Sequence, residues 1–172
     1  MNARGFTLWE LMVVVALVVI FFVAAIENLL PLRAEAERAA VGTTVGSLKS
    51  ALGMETVRRA MARGNETLDM MAGANPMNWL AVAPANYSGT IDEFHDVPRG
   101  HWGFHAASGT LFYRVRYPEY FDGSFAEPPG LRFRVVAERG AQRNLSGVKL
   151  EQIDAGDWTT DGSEIGRLLG SR

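Results

Sequence analysis

The chain of 172 residues contains no cysteine and only 3 histidines, and its 17 basic and 19 acidic side chains leave a net charge of −2. Without cysteine there can be no disulfide, no thiolate-held zinc or iron–sulfur centre and no thiol nucleophile. The near-neutral balance, with a pI of about 5.9, lacks the basic domain of a dedicated nucleic-acid binder. Catalytic signatures are missing too: no Gly-x-Ser-x-Gly elbow, phosphate-binding glycine loop or His-Glu-x-x-His is present. The expectation is therefore a protein that is not an enzyme and needs no cofactor. There is no internal repeat.

What is present is unevenly distributed. Hydrophobic residues make up 48% of the chain, and 19 of the 21 positions from Phe6 to Ile26 are apolar. The other 151 residues are about 42% hydrophobic, an ordinary composition for one small domain. Leu11–Ile26 is apolar without a break. As a helix, Phe6–Ile26 spans about 31 Å, close to the roughly 30 Å of bilayer hydrocarbon. Arg4 before it and Glu27 after it place the first five residues in the cytoplasm and the remainder outside. A cleaved secretory signal peptide and a plain signal anchor are the alternatives. For the former the apolar run is too long and the basic leader too short.

Glu10 distinguishes this segment from a generic anchor. A carboxylate in an apolar run costs about 2.5–3.5 kcal/mol on insertion scales, so it should be paired and functional. No Lys or Arg lies in the run. Cleavage between Gly5 and Phe6 would create an α-amine four residues before Glu10, one helical turn away. That cation can pair with Glu10 in the same chain or on a neighbouring helix staggered by one turn.

Gly5-Phe6-Thr7-Leu8-Trp9-Glu10-Leu11, after a short leader with Arg4 and before Met12-Val13-Val14-Val15, closely resembles the cleavage and methylation signature of type IV pilins and type II secretion pseudopilins. The resemblance covers about the first 30 residues. It implies that a prepilin peptidase cuts after Gly5 and N-methylates Phe6, and that Glu10 neutralises the amine of an adjacent subunit during filament assembly. Trp9 departs from the more usual aliphatic residue, a change expected to touch packing more than processing.

Pro31 should end the uninterrupted membrane segment with a kink, because it lacks an N–H and clashes with the preceding turn. Beyond it, Val41, Val45, Leu48 and Leu52 follow the spacing of one apolar helix face, which predicts a stalk helix to about Arg63. Gly64-Asn65 supplies its stop. Gly42-x-x-x-Gly46 reads either as a site of close helix approach or as glycines tolerated beside the head. Residues 65–100, punctuated by Asn75-Pro76, Pro84, Ser88-Gly89 and Pro98-Arg99-Gly100, predict a long connection with Trp79 and Tyr87 as its anchors. His101–Ala106 and Thr110–Tyr117 predict a hairpin, and Leu131–Glu138 and Val148–Ile153 two more strands. The Gly156–Arg172 tail should be irregular or a short edge element.

The expected fold is α+β and pilin-like: a long N-terminal helix packed on a C-terminal antiparallel sheet of about four strands. The organisation is a leader over 1–5, a transmembrane and assembly helix over 6–30, an amphipathic stalk over 31–65 and an extracytoplasmic head over 66–172.

Strand alternation gathers Arg114, Arg116, Arg132 and Arg134 on one outer face. They form either a positive patch for DNA, another anionic polymer or an acidic subunit, or a solvated face paired with Glu138 and Glu151. Asp154, Asp157 and Asp161 make an oxygen-rich loop that misses the EF-hand spacing; it is a weak calcium candidate, and some pseudopilins use calcium. His101 and His105 lie about 13 Å apart along a strand, too far to share a metal.

The function expected is a structural subunit, a minor pilin or pseudopilin assembled into a type IV pilus or secretion pseudopilus. Its partners would be prepilin peptidase, other pilin or pseudopilin subunits, the inner-membrane assembly platform and the membrane. The alternative is a non-polymerising single-pass protein whose periplasmic head binds a surface, DNA or a secreted substrate.

Overall fold

The computed structural model describes residues 7–63, 68–123, 127–139, 145–154 and 156–158. Helix α1 occupies Leu8–Arg63, about 84 Å at the usual rise per residue. Thr7 starts it: its Oγ1 accepts the Glu10 N–H at 3.3 Å and its carbonyl accepts the Leu11 N–H at 3.1 Å. Thr-x-x-Glu is thus an N-terminal cap, with Glu10 in the first turn where a negative charge complements the helix dipole. Pro31 does not end the helix, which continues through it as one element. The continuation is possible because proline removes a single intrahelical hydrogen bond while the turns on both sides stay intact.

Among the described residues seven strands follow: β1 (Tyr87–Ile91), β2 (Trp102–His105), β3 (Thr110–Arg114), β4 (Phe121–Asp122), β5 (Gly130–Arg139), β6 (Leu145–Gln152) and β7 (Asp157–Trp158). Five form the main sheet in the order β1-β2-β3-β5-β6, and β4 pairs with β7 separately. The main sheet is antiparallel except at β1, which runs parallel to β2. The α+β layout is as the sequence predicts, with a fifth strand, β1, inside the stretch read as connection. A parallel partner requires a crossover, and residues 92–101 provide it with a 3₁₀ turn at Phe94–Asp96. The β2–β3 hairpin pairs Trp102 with Tyr113 and His105 with Thr110, and Gly109 takes the left-handed conformation (φ 62°) that its turn requires.

The core lies between α1 and the inner face of the sheet. Ala34, Val41, Leu48 and Leu52 on the helix meet Trp102, Phe104, Leu111, Tyr113, Leu131, Phe133, Val135 and Leu150. Val45, Trp79, Leu80 and Tyr87 are partly buried against this cluster. Tyr87 also accepts a hydrogen bond from Asn75 Nδ2 at 2.7 Å, so both expected anchors hold the connection to the head. The outer face has a second, smaller cluster of Ile91, Val97 and Phe112, capped by Phe94 from the crossover. Gly103 permits it, since a Cβ there would lie 2.6 Å from Val97 Cγ2.

Candidate functional site

The largest uncovered feature is the first third of α1. Every side chain from Leu8 to Ile26 is exposed, including Phe21 at 72% and Phe22 at 65%. This is the one helix among the described residues long and apolar enough to cross a membrane. Leaving such a surface in water opposes solubility at about 25 cal/mol per Å². Glu10 is its lone carboxylate before Glu27, set one turn inside the start of the helix. Gly5 and Phe6 lie outside the described residues.

The second half of α1 is fixed to the head by a different carboxylate, which sequence reasoning did not single out. Glu37 is buried on the core side of the helix; its Oε1 accepts the Tyr113 hydroxyl at 2.8 Å and the Arg116 backbone N–H at 2.6 Å. One oxygen therefore ties the stalk to the end of β3. Burial, with the Glu37 carboxylate that accepts its hydrogen bond, pushes the Tyr113 phenol well above its ordinary value. The sequence signal was the position: Glu37 lies on the same helix face as Ala34 and Val41, an acidic residue among core positions.

The four arginines do not make an open patch. Arg132 is buried, with its guanidinium 5.1 Å from the Phe94 ring centroid and 5.0 Å from that of Phe112. Arg114 Nη1 donates to the carbonyls of His95, at 3.0 Å, and Val97, at 2.8 Å. Arg134 donates to Thr110 Oγ1 at 3.3 Å. Arg116 lies past the end of β3, with its guanidinium over Gly100. The crossover that the parallel β1–β2 pair demands runs over the face that alternation assigns to solvent, and Arg114, Arg116 and Arg132 pack against it, while Arg134 bonds within the sheet.

The aspartate loop is likewise occupied by arginine. Asp154 Oδ2 accepts the Arg132 backbone N–H at 2.9 Å and faces its Nη1 at 3.5 Å. Burial pushes the Asp154 carboxyl up, against the pull of Arg132. Asp157 accepts from Arg38 of α1 at 3.1 Å and caps the Trp158 N–H at 2.8 Å. Asp161 lies outside the described residues, and among the described ones no three His, Asp or Glu side chains converge as metal ligands would. Asp154 is buried against Arg132, whereas Asp157 lies at the surface beside Arg38, so the two carboxylates have separate surroundings. His101 Nδ1 is 3.1 Å from the Arg99 carbonyl and His105 Nδ1 is 2.7 Å from Ser108 Oγ, each in its own local contact.

Near the C-terminal end of the stalk, the half-buried Glu55 takes two donors from Arg58, at 2.6 and 2.7 Å, and one from Arg59 at 2.6 Å. These hydrogen bonds hold its carboxyl down at about 2.

Residues 1–26 match the family model of the prokaryotic N-terminal methylation motif. Comparison with curated proteins and with solved structures gave no match.

Proposed function

We propose that this chain, whose N-terminus carries the signal of type IV pilins and pseudopilins, is a minor pilin or pseudopilin cut after Gly5 and N-methylated at Phe6. The observation that carries the reading is that the matched motif runs into a single helix that is bare from Leu8 to Ile26 and buried under a sheet from Ala34 onward. In the inner membrane, residues 6–30 would lie in lipid with the leader in the cytoplasm and the head in the periplasm. In a pilus or secretion pseudopilus the same residues would pack among copies of themselves. Both environments are dry, so assembly exchanges one apolar contact for another, and the pairing of Glu10 with a neighbouring Phe6 amine sets the stagger. Methylation leaves that amine cationic. Residues 31–65 form the stalk, with Pro31 at its junction to the membrane part, and 66–172 the head.

N-terminal sequencing and mass analysis of the membrane-extracted protein should show methyl-Phe6 as the first residue. Glu10→Ala should leave insertion and cleavage intact and remove the protein from sheared filaments. An intact Met1 would instead make the chain a simple bitopic anchor.

A further inference from the structure

At the start of the stalk, the helix turns from Arg33 to Ala40 and the chain just past β3 frame a pocket of about 340 Å³. Three charged groups line it, and each keeps bonding capacity that the fold does not use. Glu37 is nine-tenths buried; its Oε1 holds the Tyr113 hydroxyl and the Arg116 N–H, while Oε2 is buried with no hydrogen-bond partner. The Arg33 and Arg116 guanidiniums stand in the same lining, and neither enters a hydrogen bond or ion pair among the described residues. A buried carboxylate oxygen without a donor is costly, yet Arg33, one helical turn away, does not close on it. Groups that could neutralise one another are instead set around a space.

The helix also fixes where that space lies. Leu29 and Leu32 are still exposed apolar residues, and Arg33 is the first charged one after Glu27. With residues 6–30 in lipid, Arg33 stands about 4.5 Å beyond the hydrocarbon, inside a headgroup layer of about 5–7 Å, and Glu37 about 6 Å further out.

We propose that this pocket binds the headgroup of a phosphatidylethanolamine from the periplasmic leaflet, its phosphate on Arg33 and Arg116 and its ammonium on Glu37 Oε2. The charges match one for one in kind: guanidiniums for a phosphodiester, a carboxylate oxygen for an ammonium. Their order matches as well. A phospholipid presents its phosphate nearest the hydrocarbon and its amine beyond, as α1 presents Arg33 and then Glu37. Tyr117, half-buried in the same lining, gives the ammonium an aromatic neighbour. A phosphatidylglycerol would bring the carboxylate no cation, and the methylated amine of phosphatidylcholine has no N–H to donate. The inference rests on the membrane placement of residues 6–30 in the reading above, and it gives the membrane-held subunit a lipid ligand.

The test uses the full-length chain, purified in detergent from the membranes of cells that make it. It is titrated with short-chain phosphatidylethanolamine, phosphatidylglycerol or phosphatidylcholine, and bound lipid is counted by native mass spectrometry. Wild type should bind phosphatidylethanolamine about tenfold or more tighter than the other two, the scale of one charge-assisted hydrogen bond. Arg33→Gln, at an exposed position, should weaken phosphatidylethanolamine and phosphatidylglycerol alike by about tenfold. Glu37→Gln keeps an acceptor for Tyr113 and Arg116 and should erase only the preference for the amine. Arg38→Gln, whose parent side chain pairs with Asp157 outside the pocket, should bind as wild type does. No headgroup preference in wild type, or undiminished binding by Arg33→Gln, would overturn the assignment. Soluble phosphoethanolamine bound as tightly as the lipid would overturn the membrane as its source. The same spectra show whether Phe6 is the first residue. A processed chain without the preference sinks the site and leaves the filament reading standing, whereas an intact Met1 with the preference does the reverse.

Discussion

The two parts of α1 are one helix by backbone geometry and two materials by environment. From Leu8 to Ile26 nothing in the fold covers it; from Ala34 to Leu52 one side is sealed under five strands. The first part is apolar all round and the second on one side only, and that difference decides which part a soluble core can hold. Each part also carries a carboxylate against the local grain. Glu10 sits in an apolar run with no cationic side chain near it in sequence, whereas Glu37 sits in the core with both donors supplied by the head. The fold supplies two donors to one oxygen of its buried acid, Glu37 Oε1, and leaves Oε2 without a partner, whereas it supplies no side-chain cation to Glu10.

The sharpest way to break that contrast is a pair of matched truncations. Trp102→Ala, in the core at 1% exposure, should cost about 4 kcal/mol of head stability. Phe22→Ala, at 65% exposure on the same chain, should cost the head almost nothing and act only on membrane or filament. Denaturant unfolding of the detergent-solubilised protein, followed by near-ultraviolet circular dichroism, compares the two. Equal losses would mean that the segments are energetically one unit.

Next in size is Glu37→Ala, which removes the acceptor of two hydrogen bonds and leaves a buried phenol and N–H unpaired, a loss of about 3 kcal/mol. Glu37→Gln should cost less, because its amide oxygen still accepts. It should also bring the Tyr113 phenol part of the way back toward its ordinary value, readable by phenolate absorbance, since the carboxylate's charge contributes to the upward shift. A phenol titrating unchanged in Glu37→Gln would show that burial alone raises it.

The smallest effect belongs to the C-terminal part of the stalk. Glu55 is held down at about 2, below its ordinary 4.5, by the hydrogen bonds from Arg58 and Arg59, so this pairing stabilises the fold above about pH 4.5. That contribution is lost as pH falls toward 2. Glu55→Gln should lower stability at pH 7 by about 0.5 kcal/mol, the scale of exposed helix pairs, and the difference from wild type should vanish near pH 2. A difference persisting at pH 2 would assign the effect to packing instead.

Local signals served well where the chain's own neighbours decide the outcome. The length of the apolar run, the stalk face of Val41, Leu48 and Leu52, and the β2–β3 hairpin with Gly109 all depend on contacts near in sequence or on a single period. The arginines show where that fails. Alternation placed Arg114, Arg132 and Arg134 on the outer face of the sheet, but could not show that the crossover into β2 would cover it. The parallel partner Tyr87–Ile91 lacks a hairpin turn to announce it. Glu37 was visible as an acidic residue at a core position, yet its donors come from residues 76 and 79 positions away.

Read along the chain alone, one segment is already too apolar to remain in water, helical in its length and period, and headed by an N-terminal methylation motif with a carboxylate at a fixed distance. Those properties follow from composition, period and local capping, and need no other part of the molecule. Which charged groups find partners inside the head emerges from its packing: Arg132 meets Asp154 and two aromatic rings, Arg38 meets Asp157, and Glu37 accepts from the Tyr113 hydroxyl and the Arg116 backbone N–H. The physical reason is that an ionic group's fate depends on what the fold brings within about 3–4 Å of it, and for these pairs strand order and the path of one crossover set that distance.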